Sequence, residues 1–197
     1  MPVGGLRERK KARTHEAIVR AAIELFERQG YDETTVEEIA AAADVSPRTF
    51  FRYFDSKVDV IFPKDDDHSD FDAAFATRPT GESVIETVHQ MLREKLALLF
   101  EEDGALAIRQ HRLAFQNPSL RTIAREHVYE GQDDLARALA KALGAAPDAL
   151  QPRLMAAAIG GTLWTVFERW AEAKNSTAED LIALVDEAFE LLERGLP

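Results

Sequence analysis

The chain has 197 residues, of which 46% are hydrophobic and 30% are charged, and its formal net charge is −11. This length allows one sizeable core or two small domains. The absence of cysteine excludes disulfides, thiol-based redox sensing and cysteine metal sites. No apolar run approaches the ~20 residues of a membrane span, and the basic N-terminal segment lacks the apolar stretch of a signal peptide. We therefore expect a cytoplasmic protein that does not contact a membrane.

The negative charge is divided unevenly along the chain. Residues 1–62 carry ten Lys and Arg against eleven Asp and Glu, a net charge of −1, whereas residues 63–197 carry fourteen against twenty-four, a net charge of −10. We predict two domains with these bounds. Residues 1–13 form a flexible basic arm, in which the segment 6–13 alone has a net charge of +4. Such an arm suits contact with phosphates or a minor groove, and a solvated tail is the alternative.

The first predicted helix runs from Thr14 to Gln29. Gly30 ends it, because glycine is the usual residue just beyond a helix C-terminus. Apolar residues recur along it at helical spacing and predict one buried face, formed by Ile18, Ala22, Leu25 and Phe26.

A capping box predicts the start of a second helix. Thr35 is followed three residues later by Glu38, and this pair satisfies backbone donors that a first helical turn leaves unpaired. The helix should begin near Val36. Asp44 and Val45 then form a turn.

Ser46 and Pro47 predict a third helix that runs to about Phe54, since Ser suits the N-cap and Pro the first helical position. Phe50 and Phe54 should anchor it in a small core. Other faces then carry Arg48, Thr49, Arg52 and Tyr53. Two short helices joined by a tight turn, with basic residues on the second, are typical of a DNA-binding helix-turn-helix. A helical hairpin with a solvated charged face is the alternative.

A further helix should start at Asp55 or Ser56, with Lys57 in its first turn. A cation is slightly unfavourable there. A DNA phosphate would reverse that penalty, because it would meet both the helix amides and the ammonium group.

The pattern from Ala17 to Ile61 resembles the DNA-binding domain of the TetR family of one-component transcriptional regulators. The linked features are Gly30-Tyr31, Thr34-Thr35, Val45-Ser46, Tyr53-Phe54 and Lys57. The resemblance implies a homodimer that binds a palindromic operator in double-stranded DNA. It also implies a repressor that a small-molecule effector releases.

The resemblance also implies roles for single residues. Pro47, Arg48 and Thr49 match positions that meet base edges, and Thr35, Tyr53 and Lys57 match positions that hold phosphates. Phe51 stands where the family usually has Tyr, so the phosphate-binding hydroxyl is absent. Phe51 can still contact a sugar or a thymine methyl, and Arg52 can supply a phosphate contact.

From residue 63 onward the sequence predicts only helices, which makes the fold class all-α: a three-helix DNA-binding domain followed by a helical bundle for effector binding and dimerisation. Pro, Gly and Asn residues separate the apolar segments. The predicted helices cover residues 82–102, 105–116, 119–143, 148–174 and 178–195.

The last two helices are predicted to form the dimer interface. Gly160-Gly161 would permit close backbone approach, and the final helix carries a wide apolar stripe of Leu181, Leu184, Val185, Ala188, Leu191 and Leu192. Two helices from each subunit would close a four-helix interface. The alternative is that this stripe packs only inside the monomer.

Aromatic and polar residues of the middle helices are candidates for an effector cavity. Ordinary core packing explains most of them equally well, and an unpaired buried Arg112 would indicate an anionic effector. The segment Arg109 to Arg121 resembles a subgroup of regulators with acyl-thioester or lipid-like effectors. The candidates are Phe75, Met91, His111, Arg112, Phe115, Trp164 and Phe167, with Phe71 and Phe100 as further lining residues.

Other functions have weaker support. The run Asp65-Asp66-Asp67-His68, with Asp70 and Asp72, has metal-binding groups, but a solvated acidic break between domains is the preferred interpretation. No catalytic motif, metal site or cofactor site is predicted, and the protein is not expected to be an enzyme. The alternatives are a helical protein-interaction module with a weakened DNA-binding domain and an enzyme that acts in the helical cavity.

Overall fold

The computed structural model describes residues 5–63, 70–173 and 175–195. Within these ranges the chain forms eight α-helices, one short 3₁₀ helix and no strand, which confirms the all-α fold. None of the described helices is long and apolar enough to cross a membrane. The α-helices are α1 (Leu6–Gln29), α2 (Val36–Ala42), α3 (Pro47–Phe50), α4 (Asp70–Ala76), α5 (Val84–Gln116), α6 (Pro118–Leu143), α7 (Leu150–Glu172) and α8 (Ala178–Arg194), and the 3₁₀ helix is Lys57–Val60.

Helix α1 begins at Leu6 rather than at Thr14. The prediction of a flexible arm is therefore wrong for residues 6–13, and residues 1–4 lie outside the described ranges. The physical reason is composition, because Leu, Arg, Lys, Glu and Ala are good helix formers and neither Gly nor Pro interrupts the segment. Gly30 ends the helix as predicted, with a φ of 92°.

Capping side chains start α2 and α3 at the predicted residues. The Thr35 hydroxyl accepts the backbone N–H of Glu38, whose carboxylate accepts the backbone N–H of Thr35. Ser46 caps α3, with Pro47 in the first helical position. In the turn between them Asp44 has a φ of 54°, a left-handed conformation that Asp tolerates better than most residues.

Helix α3 ends at Phe50, four residues earlier than predicted. The chain continues as a tightened turn, because the N–H of Arg52 donates to the Thr49 carbonyl at 3.2 Å and that of Tyr53 donates to the Phe50 carbonyl at 2.8 Å. Phe54 still returns to the core. The two predicted anchors, Phe50 and Phe54, are both buried.

The first core lies between α1, α2, α3 and the 3₁₀ helix. The predicted buried face of α1 is confirmed, and residues from α5 and α6 complete the core from the other side. Its most fully buried members are Ile18, Ala22, Ile23, Ile39, Ala40, Phe50 and Leu120.

Helix α5 is a single helix of 33 residues, so the predicted break at Asp103-Gly104 is wrong. A glycine inside a helix costs about 1 kcal/mol relative to alanine. Packing outweighs that cost, because Leu96 is buried in the second core and Leu106 in the first, and each buried Leu contributes roughly 1.5–3 kcal/mol. Helix α4 was not predicted.

The second core lies among α5, α6, α7 and α8, with Trp170, Leu139 and Phe189 fully buried. It corrects the prediction for the last helix, since Leu181 and Val185 are also completely buried inside the monomer. These two residues therefore stabilise the subunit itself and are not available to a second one.

Candidate DNA-contacting surface and effector cavity

Helix α3 presents a short polar face to solvent. Pro47 and Arg48 are exposed and Thr49 is half-buried. The Ser46 and Thr49 hydroxyls lie 2.9 Å apart, and Ser46 also caps the helix. The buried Phe50 anchors the opposite face. The structure therefore brings together the three side chains that the sequence assigned to base edges.

Phe51 follows α3 with its ring 52% exposed. It packs edge-to-face on Phe50, with the ring centroids 5.5 Å apart and an angle of 86° between the planes. This contact orients the exposed ring without covering it. An apolar group held at the surface in this way suits a sugar or a thymine methyl, as the sequence predicts.

Arg52 and Tyr53 form a cation–π pair, with the guanidinium 5.2 Å from the ring centroid. Arg52 is exposed and Tyr53 is half-buried. His15 of α1 packs on Phe54 with the ring centroids 4.9 Å apart, and burial, with a smaller contribution from Lys11, lowers the pKa of His15. The lowered pKa favours a neutral imidazole beside this turn.

The hydroxyl of Thr35 is engaged within the capping box. It donates to the Glu38 carboxylate at 3.0 Å while it accepts the Glu38 N–H at 3.2 Å. The backbone and hydroxyl hydrogen bonds from Thr35 lower the pKa of Glu38. In this arrangement the Glu38 carboxylate occupies the N-terminus of α2, beside the hydroxyl that the family resemblance assigns to a phosphate.

Lys57 does not have the arrangement predicted for a phosphate-binding residue. Its ammonium group donates to three backbone carbonyls, those of Tyr31 at 2.7 Å, Thr34 at 2.9 Å and Asp32 at 3.2 Å. It also lies 4.4 Å from the centroid of the Tyr31 ring. An ammonium has three N–H donors, and all three point into the protein. In this structure Lys57 fastens the 3₁₀ helix to the loop between α1 and α2, and its contact with a phosphate stays a prediction.

Four of the seven predicted effector residues pack against one another: His111, Phe115, Trp164 and Phe167. Phe75 packs against the second core, and Met91 is half-buried. His111 and Phe167 stack at 5.9 Å, Phe115 and Phe167 at 5.9 Å, and Phe115 and Trp164 lie 5.1 Å apart. The Nδ1–H of His111 donates to the Ala107 carbonyl at 2.8 Å, and burial lowers its pKa. These ring contacts agree with the alternative of core packing, and a ligand contact from these residues stays a prediction.

Arg112 is also a structural residue. Its Nη2 donates to the Ser176 carbonyl at 3.0 Å, to the Ser176 hydroxyl at 2.9 Å and to the Ala173 carbonyl at 3.3 Å, just beyond the end of α7. Its guanidinium lies 5.6 Å from the centroid of the Trp170 ring. Carbonyls at a helix C-terminus attract a cation, but Nε of Arg112 is buried without a hydrogen-bond partner among the described residues. The link between Arg112 and an anionic effector therefore stays a prediction.

An apolar cavity of about 140 Å³ lies within the second core. It is formed between α4, α5, α6 and α7, and it contains none of the seven predicted effector residues, although Phe71 is part of its wall. Among the described residues the wall contains no charged side chain. Its principal members are Phe71, Val88, Leu92, Gln132, Leu135, Ile159, Gly160 and Leu163.

Comparison with known proteins identifies the family. Residues 18–62 match the family model described as bacterial regulatory proteins of the tetR family, and residues 82–197 match the model of the MftR C-terminal domain. The chain belongs to the TetR family of bacterial transcriptional regulators. It therefore carries the family's helix-turn-helix DNA-binding domain at its N-terminal end.

Several TetR-family proteins resemble the whole chain. The HTH-type transcriptional regulator TcmR of Streptomyces glaucescens is 34% identical over 98% of this chain and 88% of its own. The fatty acid degradation regulator FadR from Bacillus halodurans is 26% identical, with a TM-score of 0.59 over 93% of this chain and 96% of that one. Thermus thermophilus FadR, solved with lauroyl-CoA, shares the fold at 24% identity and a TM-score of 0.53, over 93% of this chain and 95% of that one.

These relatives are transcriptional regulators and not enzymes, which agrees with the prediction that the chain is not an enzyme. In the part of the chain that the structure describes, no group of three or more His, Asp and Glu residues has a metal-binding arrangement. The run Asp65 to His68 lies outside the described residues. Asp72, next to it, forms an ion pair with Lys141 at 2.8 Å.

In this TetR-family chain α5 connects the cavity to the DNA-binding domain. Arg109 donates two hydrogen bonds to the Glu27 carboxylate of α1, at 2.9 and 2.6 Å. Gln110 donates to the Val60 carbonyl at 2.7 Å and to that of Ile61 at 3.2 Å. The cavity-lining Val88 and Leu92 belong to the same helix. A displacement of α5 at the cavity would therefore also change the hydrogen bonds of Arg109 and Gln110.

Sequence reasoning missed the cavity wall and the contacts of α5 with the first domain. Val88 and Leu92 are four residues apart, as are Ile159 and Leu163, but this spacing equally describes residues that fill a core. The cavity depends on the distances between helices. The residue pattern of one helix gives no information about those distances. Gly160 of α7 was the one signal in the sequence that could have indicated space beside this helix.

Proposed function

We propose that this protein is a ligand-responsive repressor that binds a palindromic operator as a homodimer and leaves it when a small hydrophobic effector enters the apolar cavity. One observation carries the proposal: α5 lines the cavity at Val88 and Leu92 and holds the DNA-binding domain through Arg109 and Gln110. A ligand that favours one position of α5 would shift the population toward domain spacings that fit or miss the operator.

The proposed DNA surface combines α3 and the turn that follows it. Pro47, Arg48 and Thr49 would face base edges, and Phe51 would contact a sugar or thymine methyl. Arg52 and Tyr53 would contact phosphates. Lys57 and Thr35 would act indirectly, since their polar atoms hold the loops that carry the surface.

The first two turns of α1 would add an electrostatic contact. Five exposed cations lie on this segment of the helix: Arg7, Arg9, Lys10, Lys11 and Arg13. A helix fixes the direction of these side chains more closely than a flexible arm would. Phosphate contacts from such residues raise the affinity for all sequences and make it dependent on salt.

The proposed dimer contact involves the outer face of α7 and the end of α8. Leu150 and Leu154 are 71% and 59% exposed, and Leu191 is 44% exposed. The short connection between α7 and α8 favours an antiparallel pair, which places the start of α7 near the end of α8. Large exposed apolar residues grouped in this way indicate an interaction surface.

The cavity favours a hydrophobic effector over an anionic one. No charged side chain is present in the described part of its wall, and a buried charge without a partner is costly. Thermus thermophilus FadR was solved with lauroyl-CoA; the apolar wall here suits an acyl chain or a ring, but it offers no cation to a phosphate.

The test begins with selection of genomic DNA fragments by the purified protein, followed by affinity measurements on the enriched sequence. Arg48→Ala should weaken operator binding by about 1–3 kcal/mol and relax specificity at one base position. Arg137→Ala, a matched loss of one exposed cation on α6, should leave the affinity unchanged. Selection that enriches no sequence would contradict the proposed operator binding.

A further inference from the structure

Helix α6, like α5, contacts the DNA-binding domain. The His127 ring of α6 stacks on the ring of Phe62, which follows the 3₁₀ helix, with the centroids 5.1 Å apart and an angle of 27° between the planes. The Glu130 carboxylate lies 3.6 Å from Nδ1 of His127. Aromatic pairs of this kind contribute beyond the apolar area that they bury. The stack therefore joins α6 directly to the end of the DNA-binding domain.

This contact lies close to the apolar cavity along α6. Val128, the residue after His127, is part of the cavity wall. On α5, by contrast, eighteen residues separate the cavity-lining Leu92 from Gln110, about 27 Å along a helix. A displacement of α6 at the cavity would carry the His127 ring with it. Helix α6 therefore offers the shorter of these two routes from the cavity to the DNA-binding domain.

The beginning of α6 is anchored in the first core. Leu120 is completely buried there, and the Ser119 hydroxyl donates to the Asp32 carboxylate at 3.2 Å. A close-packed interior resists deformation. A guest molecule that displaces α6 at the cavity would therefore tilt the helix about this anchor, and the turn that contains His127 lies between the anchor and the cavity.

Short hydrogen bonds connect Phe62 to the segment that holds the DNA-contacting helices. The N–H of Phe62 donates to the Val58 carbonyl of the 3₁₀ helix at 2.9 Å. In the same 3₁₀ helix Lys57 donates to carbonyls of the loop that precedes α2. Ile61, next to Phe62, is buried in the first core with Phe50 of α3. A displacement of Phe62 would therefore reach both α2 and α3.

We propose that the stack of His127 on Phe62 transmits occupation of the cavity to the DNA-contacting helices, which makes His127 a positioning residue for operator release. This inference rests on the proposed function, since it takes the cavity as the effector site. It adds a second route, through α6, and the pair of residues on which that route depends.

Benzene is a suitable probe, because apolar cavities of roughly 150 Å³ hold a benzene molecule and this cavity measures about 140 Å³. The affinity of the full-length protein for the selected operator would be measured by fluorescence anisotropy, with and without saturating benzene. The ratio of the two dissociation constants measures the coupling between the cavity and the operator. Nuclear magnetic resonance titrations that follow the Val88 methyl groups would give the affinity for benzene itself.

We expect benzene to weaken operator binding by the wild type. In His127→Ala the ratio should fall by roughly 2- to 10-fold, the effect of one aromatic contact, while the affinity of the free protein for benzene stays the same. His127→Phe retains a stacking ring and should keep the ratio. Tyr129→Ala, which removes an exposed ring from α6, should also keep it. A purely structural role of His127 would change the stability of the variant and leave the ratio unchanged.

An unchanged ratio in His127→Ala would overturn the inference and leave the proposed function in place. An equal decrease in His127→Phe or in Tyr129→Ala would also overturn it, because stacking at residue 127 would not then be the decisive property. If benzene does not bind, or binds without changing the operator affinity of the wild type, both the inference and the effector part of the proposed function fail. Operator affinity in the absence of benzene separates these outcomes from failure of the DNA-binding proposal.

Discussion

The two cores of this protein are filled differently. In the first, aromatic rings contact one another, with centroids 5.0 Å apart for Phe26 and Tyr31 and 5.5 Å apart for Phe50 and Phe54. A cavity of about 230 Å³ also lies beside Phe54, but its wall includes Asp55 and Asp59. In the second core, apolar side chains line a cavity of about 140 Å³. A close-packed interior resists deformation. The difference indicates that the first core holds the DNA-contacting helix in position, while the second can accommodate a guest molecule.

The two regions also differ in the hydrogen bonding of a cation that packs on an aromatic ring. Each region places a cation over an aromatic ring and directs it at backbone carbonyls: Lys57 over Tyr31 in the first, and Arg112 over Trp170 in the second. Lys57 uses all its donors, whereas Nε of Arg112 is buried without a hydrogen bond partner among the described residues. The cation of the second region therefore leaves one buried N–H donor without a hydrogen bond, whereas the cation of the first leaves none.

The largest expected effect comes from opening the first core. Phe50→Ala removes a completely buried ring and should reduce the free energy of unfolding by about 3–5 kcal/mol. The adjacent Phe51→Ala removes a ring that is half exposed and should cost far less. Urea unfolding of both variants checks this. Equal losses would show that the first core does not depend on the ring of Phe50.

Loss of the three Lys57 hydrogen bonds should have the second largest effect. Lys57→Met keeps the aliphatic length but removes the donors to three carbonyls, so we expect a loss of about 2 kcal/mol in the free energy of unfolding. The salt dependence of operator affinity should stay the same. Lys10→Met, at an exposed position of α1, is the matched control for stability. Unchanged stability together with a salt slope lower by about one unit would restore the phosphate role.

A third change fills the second core. Ala156 lies in the cavity wall and is buried, so Ala156→Leu would place its added methyl groups in the empty volume. We expect the stability to change by no more than about 2 kcal/mol, as in other cavity-filling substitutions, while the affinity for benzene, which fits an apolar cavity of this size, falls. Ala97→Leu, at an exposed site on α5, is the control. Unaltered probe binding in Ala156→Leu would mean that the probe binds elsewhere.

The smallest expected effect is a pH dependence from His111. Burial lowers its pKa in the folded protein below 6.5, so the unfolded chain binds the proton first as the pH falls. The contribution of neutral His111 is fully present above pH 6.5 and is lost as the pH decreases through the folded pKa. His111→Gln should therefore show a weaker loss of unfolding free energy between pH 7.5 and 5. If the free energy of unfolding decreased by the same amount in the wild type and in His111→Gln, this expectation would be wrong.

The sequence predicted the starts of α2 and α3 correctly because their signals are local. Thr35 with Glu38, and Ser46 with Pro47, specify helix starts through hydrogen bonds three residues apart, and the structure has both. The roles of single polar groups were less predictable. Lys57 donates to carbonyls more than twenty residues away, a contact that exists only after the chain has folded.

The second region was less predictable because its features depend on several helices at once. Gly104 suggested a break, but the burial of Leu96 and Leu106 on either side keeps α5 continuous. The aromatic side chains suggested a cavity, yet Phe115, Trp164 and Phe167 pack on one another. The actual cavity lies among aliphatic residues that resemble any other core positions.

Control of DNA binding by the cavity can be tested directly by comparing operator release in two proteins. The affinity for the selected operator would be measured for the wild type and for Ala156→Leu, with and without an extract of apolar metabolites from the source cells. We expect the extract to weaken DNA binding by the wild type and to leave Ala156→Leu bound to the operator. Release of both proteins to the same extent, or of neither, would contradict control of DNA binding by the cavity.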